Sequence, residues 1–329
     1  MRNPLSPPAV SIIIPSYNQA CFLKEALRSV LAQTFARWEV IVVNNFSEDN
    51  TVEVVQAFKD PRIRLVNFRN YGIIGASRNE GIRQARADVI AFLDSDDIWY
   101  PTKLARVAAA FHADSAVDAI CHNQDYIKGD RVVGQSRYGP PPLYRGSLRD
   151  YLVYVAPFDC MNTSGVSVKT RCLLEVGLFD ESPNLITLED YDLWIRLAQA
   201  CRFRFLPEIL GGYRYHEASQ TAAGFERHLA NHLAYMERLI GPPEGKNNGR
   251  SSRLVRRRYA MVFYGAGRYY CWAGDLRRSF VCFVRALRTD LLLPKTYAGL
   301  ACWLMAAFSR IGKRGWRRLD DATRKLSRD

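Results

Sequence analysis

Along the first hundred positions, short apolar runs alternate with stretches whose apolar residues return every three or four places. "AVSIIIPSYN" (9–18) reads as a buried strand that Pro15 ends. In the stretch that follows, Phe22, Leu23, Ala26, Leu27, Val30 and Leu31 recur at helical spacing. "WEVIVVNN" is a second strand and "SEDNTVEVVQAF" a second helix, with Ser47, Asp49 or Asn50 as its cap. "IRLVNF" is a third strand, "GASRNEGIRQARA" a third helix and "DVIAFLDSDD" a fourth strand. This alternation predicts an α/β fold: a mostly parallel sheet with helices on its faces. In such sheets ligands bind beyond the carboxyl ends of the strands. Polar clusters stand at those ends: "PSYN", "NNFSEDN" and "DSDD". Strands also end in polar turns for purely structural reasons, so pattern alone leaves both readings open.

Beyond residue 140 the pattern is less regular. "RYGPPPLYRG" reads as a proline-rich loop, and "TSGVSVKTRCLLEVGLFDES" as a strand, a short helix and a turn. "LEDYDLWIRLAQAC" is an amphipathic helix with Leu193, Trp194, Leu197 and Ala198 on its apolar side. "RFRFLPEILGGYRYHEAS" suggests two short strands around Pro207. From about Phe225 the chain turns helical, with "EGKNNGRSS" (244–252) as a linker and two helices meeting near Gly274. The expected division is therefore 1–224 and 225–329.

Charge sharpens that division. Of the formal +13, residues 225–329 carry about +14 and the other 224 about −1. Eight cysteines are scattered without CxxC spacing, which suggests neither a zinc ribbon nor a redox motif and favours a reducing, cytoplasmic setting. "MRNPLSPPAVSIIIP" has no apolar core of a signal peptide, and no uncharged apolar stretch of about 20 residues predicts a membrane span.

The candidate chemistry is carboxylate chemistry. Asp94 and Asp96 lie two apart, on one face if the strand continues, and their repulsion calls for a compensating charge. A divalent cation with hard oxygen ligands is one answer, and a capped turn is the plainer one. Glu189 and Asp190 open a helix, where the dipole favours carboxylates whatever their role. His216 follows a glycine pair, and a lone histidine is more often structural than a ligand. No GxGxxG follows the first strand, which argues against a dinucleotide oxidoreductase.

Taken together and in order, "VSIIIPSYNQACFLKEALRSVLAQTF", "WEVIVVNNFSEDNT", "GASRNEGIRQARADVIAFLDSDDIWYP", "GLFDES", "LEDYDLWIRL" and "YRYHEAS" resemble the family 2 glycosyltransferases. These are inverting, nucleotide-sugar-dependent enzymes with the GT-A fold, and the resemblance covers roughly residues 9–220. It implies that Pro15, Tyr17 and Asn18 line the base pocket, with Asn45 where the family usually has a base-contacting aspartate. It implies that Arg78 supports the nucleotide. Asp94 and Asp96 form the DxD motif on the ribose and the metal side, and His216 completes the shell of Mn²⁺ or Mg²⁺. Asp190 is the implied catalytic base, with Glu189 beside it. The "NN" at 44–45 departs from the usual pair of acids and exchanges a charge-assisted bond for a neutral one.

The expected activity is transfer of a sugar, with inversion, from a nucleotide-diphosphate donor, UDP-linked for preference. The acceptor is the hydroxyl of a saccharide or lipid-linked molecule, as in bacterial surface polysaccharide synthesis. The alternative is a non-catalytic nucleotide-sugar-binding scaffold. Residues 296–328 pair a short apolar helix with a basic tail, which suits either peripheral membrane contact or a solvated basic face packed on the protein. Nucleic acid is not an expected partner, because the tail carries no recognisable binding module.

Overall fold

The computed structural model describes residues 7–156, 160–216, 224–243 and 250–309. Two compact units divide them: residues up to 149 with 160–228, and 150–156 with those from 229 onward.

The first unit is built on a nine-stranded sheet. Its strands are β1 (Val10–Ser16), β2 (Trp38–Asn44), β3 (Ile63–Asn67), β4 (Val89–Phe92), β5 (Ile98–Trp99), β6 (Ala119–Lys128), β7 (Arg131–Gln135), β8 (Val166–Lys169) and β9 (Phe203–Arg214). The order is β3-β2-β1-β4-β8-β6-β9-β5, and β7 pairs with β6 off that path. β3, β2, β1 and β4 are parallel, as the strand–helix alternation predicts. The later half adds antiparallel pairings of β8 with β4 and β6, of β7 with β6 and of β5 with β9. The α/β class stands, with a sheet more mixed than the first hundred residues suggest.

β1 and β2 are buried along their whole length, which explains why they read as continuous rather than alternating apolar runs. Ile12, Ile14, Val40 and Val42 pack with Leu23, Leu27 and Val30 of the helix Ala20–Leu31. The helix Ile74–Gln84 lies close against the sheet at Gly81, where a Cβ would stand 2.4 Å from Ile13.

One expectation is corrected. Residues 203–214 form a single strand rather than two, and Pro207 does not break it. β9 pairs Leu206 with His122 and Ile209 with Asn123, so Pro207 and Glu208 fall in an irregularity of the ladder. There the Pro207 carbonyl accepts a hydrogen bond from Asn123 Nδ2 at 2.9 Å.

In the second unit, helices span Arg250–Trp272, Leu276–Thr289 and Pro294–Ser309. The first of them begins inside the stretch read as a linker, whose residues 244–249 lie outside the described ones. Gly274 adopts φ +85° at the turn between the first two helices, and Asp275 then caps the second by accepting the Arg278 N–H at 2.9 Å. Phe283 is fully buried with Ala260, Tyr264, Ala286 and Leu293. Among the described residues no helix is long and apolar enough to cross a membrane.

Candidate active site

The loops after β1, β2 and β3 leave the carboxyl edge of the sheet. Each holds a non-glycine residue in the left-handed region: Asn18 at φ 51°, Phe46 at φ 53° and Tyr71 at φ 53°. Such a backbone is uncommon for bulky side chains and marks loops that their surroundings hold in place. Asn18 and Ser47 do part of that holding. The Asn18 N–H donates to Ser47 Oγ at 3.0 Å, and Asn18 Oδ1 accepts the Glu48 N–H at 2.8 Å. Pro15 is buried in β1 opposite Val43, whereas Tyr17, Phe46 and Tyr71 are exposed on this edge. Asn45 is anchored twice: its N–H donates to the Ser16 carbonyl at 3.0 Å, and its Oδ1 accepts the Asn70 N–H at 3.0 Å. Asn44 is taken up structurally, bonding Asn67 and Ser47.

Arg78 occupies the middle of the site and is 3% exposed. Nη2 donates to Asp94 Oδ1 and Nη1 to Glu189 Oε1, both at 2.8 Å. Burial opposes its charge, but the Asp94 and Glu189 carboxylates outweigh that and hold its pKa above the ordinary arginine value. The guanidinium also lies 5.4 Å over the Phe179 ring. Gly75 permits this closeness, since a Cβ there would stand 3.2 Å from Phe179 and 3.4 Å from Glu189.

The acidic cluster separates into three roles. Asp94 faces Arg78. Asp96 Oδ2 lies 2.9 Å from His216 Nε2, and that ring stacks on Phe22 with centroids 4.8 Å apart. Asp97 is fully buried, accepting from Ser164 Oγ at 2.6 Å and the Arg214 N–H at 3.0 Å. Burial, with the neighbouring Asp96 and Asp94 charges, raises its pKa well above the usual carboxylate range. Asp97 is therefore a structural acid. Asp96 and His216 offer a hard oxygen and an imidazole nitrogen, a donor set that fits Mn²⁺ better than Mg²⁺, which would use the oxygen alone. His216 Nδ1 is buried without a hydrogen-bond partner among the described residues.

Asp190 lies in the first turn of the helix Glu189–Ala200. It accepts from Thr163 Oγ1 at 3.2 Å and from the Tyr191 N–H at 2.7 Å. Burial first, and the Glu189 charge second, push its pKa up to about 7 against the opposing pull of Arg78. A carboxyl group poised there can exchange a proton near neutral pH.

Several residues of the site escaped the sequence reading. Ser164 ties its parts together: its Oγ accepts the Asp94 N–H at 3.0 Å while donating to Asp97, and its carbonyl accepts Trp99 Nε1–H at 2.8 Å. Its neighbour Thr163 reaches Asp190. Arg214 bonds Glu25, the Asp96 carbonyl and Asp97. Phe46 stands within "NNFSEDN" but was given no role, and Tyr71 joined no motif, although an aromatic beside a polar cluster is a usable signal.

Comparison with known proteins extends the picture. Residues 11–169 match the family model "Glycosyl transferase family 2". WfgD of Escherichia coli, a UDP-Glc:alpha-D-GlcNAc-diphosphoundecaprenol beta-1,3-glucosyltransferase, is 39% identical over 189 residues, which are 57% of this chain and 69% of WfgD. An uncharacterised glycosyltransferase of Rickettsia felis is 31% identical over 224 residues, 64% of this chain but about a third (34%) of that protein's length. In fold, the mannosyltransferase PcManGT from Pyrobaculum calidifontis, solved with GDP-Man and Mn²⁺, superimposes with a TM-score of 0.56 at 19% identity. That overlap takes in 96% of this chain and 85% of PcManGT.

Proposed function

The chain belongs to glycosyl transferase family 2, and from that premise we propose that it moves a hexosyl group, with inversion, from a UDP-linked donor to the hydroxyl of a lipid-linked saccharide. The observation that carries this reading is the Arg78 bridge. One guanidinium joins Asp94, on the edge where the nucleotide is expected, to Glu189, next to the candidate base. That bridge supports a reading in which the groups assigned to donor and to acceptor work side by side.

In this reading Tyr17, Asn18 and Asn45 receive the base, with Phe46 and Tyr71 as aromatic walls, and Asp94 receives the ribose. Pro15 shapes the strand end behind them. Asp190, as carboxylate, takes the proton of the acceptor hydroxyl while that oxygen attacks the anomeric carbon. The bond from the anomeric carbon to the diphosphate oxygen breaks on the opposite face, which inverts the configuration. Arg78 keeps Glu189 and Asp94 in place throughout. Mn²⁺ held by Asp96 and His216, or Mg²⁺ by Asp96, with Asp94 nearby, would neutralise charge on the departing diphosphate.

WfgD's name specifies a UDP-Glc donor and a diphosphoundecaprenol-linked acceptor, and that chemistry supports both choices here. The scaffold alternative is disfavoured by the set of Asp94, Asp96, Asp190 and His216 held around Arg78 and Thr163, of which binding alone would not need the candidate base. The test is a thermal-shift survey of nucleotide sugars with Mn²⁺, followed by transfer to a diphosphopolyprenyl-GlcNAc analogue. A UDP-hexose should raise the midpoint most and be consumed in step with acceptor glycosylation. No shift with any nucleotide sugar, or binding without transfer, would overturn the proposal.

A further inference from the structure

Far from the carboxyl edge, three elements of the first unit bring soft and hard donor atoms together. Asp118 immediately precedes β6, Cys172 lies buried in the helix Thr170–Val176, and Cys201 ends the helix Glu189–Ala200. The two sulfurs and one Asp118 oxygen all lie within 4.8 Å of one another. β6 runs parallel to β4, since both pair antiparallel with β8, so Asp118 stands at the sheet edge opposite the DxD motif.

We propose that Asp118, Cys172 and Cys201 form a binding site for a thiophilic divalent ion, Zn²⁺ by preference, separate from the site at Asp96 and His216. Donor type, spacing and charge all support it. Two thiolates and a carboxylate are a zinc donor set, and a water completes a tetrahedron. Zn–S bonds of about 2.3 Å in a tetrahedron place two sulfurs about 3.8 Å apart, so donors that stand within 4.8 Å of one another need at most about 1 Å of contraction. On binding, each thiol loses its proton to solvent and the sulfur lone pair forms the bond to the metal. The loaded site carries one net negative charge. Lys169, whose Nζ lies 3.5 Å from Asp118 Oδ1, and Arg171, which pairs with the same oxygen, offset it.

Asp118 is already held in position for this. Its Oδ2 accepts the Arg202 N–H at 3.1 Å, and its own N–H donates to the Arg202 carbonyl at 2.9 Å. An ion here would clip the end of the helix Glu189–Ala200 to the sheet, at the far end from Asp190. That makes it a staple and leaves the catalytic chemistry elsewhere. The converging carboxylate favours a metal over a disulfide, which would use the two sulfurs alone.

The experiment adds Co²⁺ to the full-length, chelator-stripped, reduced protein. Thiolate-to-cobalt charge-transfer absorption should appear in the near ultraviolet and saturate at one ion per chain. It should vanish in Cys172→Ser and in Cys201→Ser and persist in Asp96→Asn, because oxygen and imidazole ligands give no such band. Zn²⁺ should bleach the band and raise the melting midpoint, and Cys201→Ser should weaken Zn²⁺ binding by roughly 100-fold. The proposal fails if wild type shows no thiolate band or if the band survives both serine variants. It fails equally if the pair is isolated as a Cys172–Cys201 disulfide that takes up no metal after reduction.

Discussion

Asp190 shows how a single residue's surroundings set its chemistry. Burial and Glu189 bring its pKa to about 7, where an ordinary aspartate stands at 3.8. With Asp190 as the proposed base, only its carboxylate form takes the acceptor proton, so kcat/KM should fall about tenfold per pH unit below 7 and level off above it. A pH–rate profile with no inflection between about 6 and 8 would contradict this. The same shift has a stability consequence. The fold favours protonated Asp190, so its stabilising contribution is complete below 3.8 and lost as pH rises through about 7. Asp190→Asn should therefore melt above wild type at pH 8, with the gap closing toward pH 4. Arg78 makes the opposite case. Arg78→Met leaves Glu189 buried beside an apolar chain and should cost about 3–5 kcal/mol, read by denaturant titration. Asn45 is a subtler residue: its Oδ1 already accepts the Asn70 N–H, which leaves its amide N–H groups to meet a base. The sequence shows that an acid is missing there, but only the neighbouring loop shows which end of the amide remains available.

At the scale of elements, what could be read in advance and what could not follow from range. β1 to β4 and the helices between them were legible because each buries its own apolar pattern against the next. β9 was not, because the partner that tolerates Pro207 lies 84 residues away in β6. The segment Thr163–Gly165 was equally hidden. A three-residue 3-10 turn has no period, yet Ser164 satisfies Asp94, Asp97 and Trp99 together. Ser164→Ala should destabilise by about 1–3 kcal/mol, since it strands a buried carboxyl group, and chemical denaturation measures it. Lys103 is another buried surprise, with its Nζ 3.5 Å over the Trp99 ring and bonded to Ser167. Burial lowers its pKa well below 10.5, so stability is present above 10.5 and lost as pH falls toward the depressed value. Lys103→Met should remove that loss and raise the melting midpoint at pH 7.

For the whole molecule, the charge asymmetry suggested two parts with different tasks, and two compact units are present. In the second, Tyr297, Leu304 and Met305 recur on one exposed helical face, with Leu291 and Leu292 exposed in the turn before it. Arg277, Arg285 and Arg288 are exposed on the preceding helix. We propose that these exposed apolar and basic side chains rest on anionic lipid, the phase that would also hold a lipid-linked acceptor. The basic tail that first suggested it, 310–328, lies outside the described residues. Leu291→Glu with Leu292→Glu should lower sedimentation with anionic vesicles at least about tenfold. Transfer to a water-soluble acceptor should be unchanged, and equal sedimentation would refute the lipid contact.

The proposed catalysis turns on Asp190 acting as the base beside the Arg78 bridge. The direct measurement is transfer by Asp190→Asn at pH 8, alongside calorimetric titration of the same variant with UDP-hexose and Mn²⁺. Donor affinity within about threefold of wild type, with turnover reduced by roughly 10³-fold or more, is the predicted result. Turnover close to wild type in that variant would contradict the account at its centre.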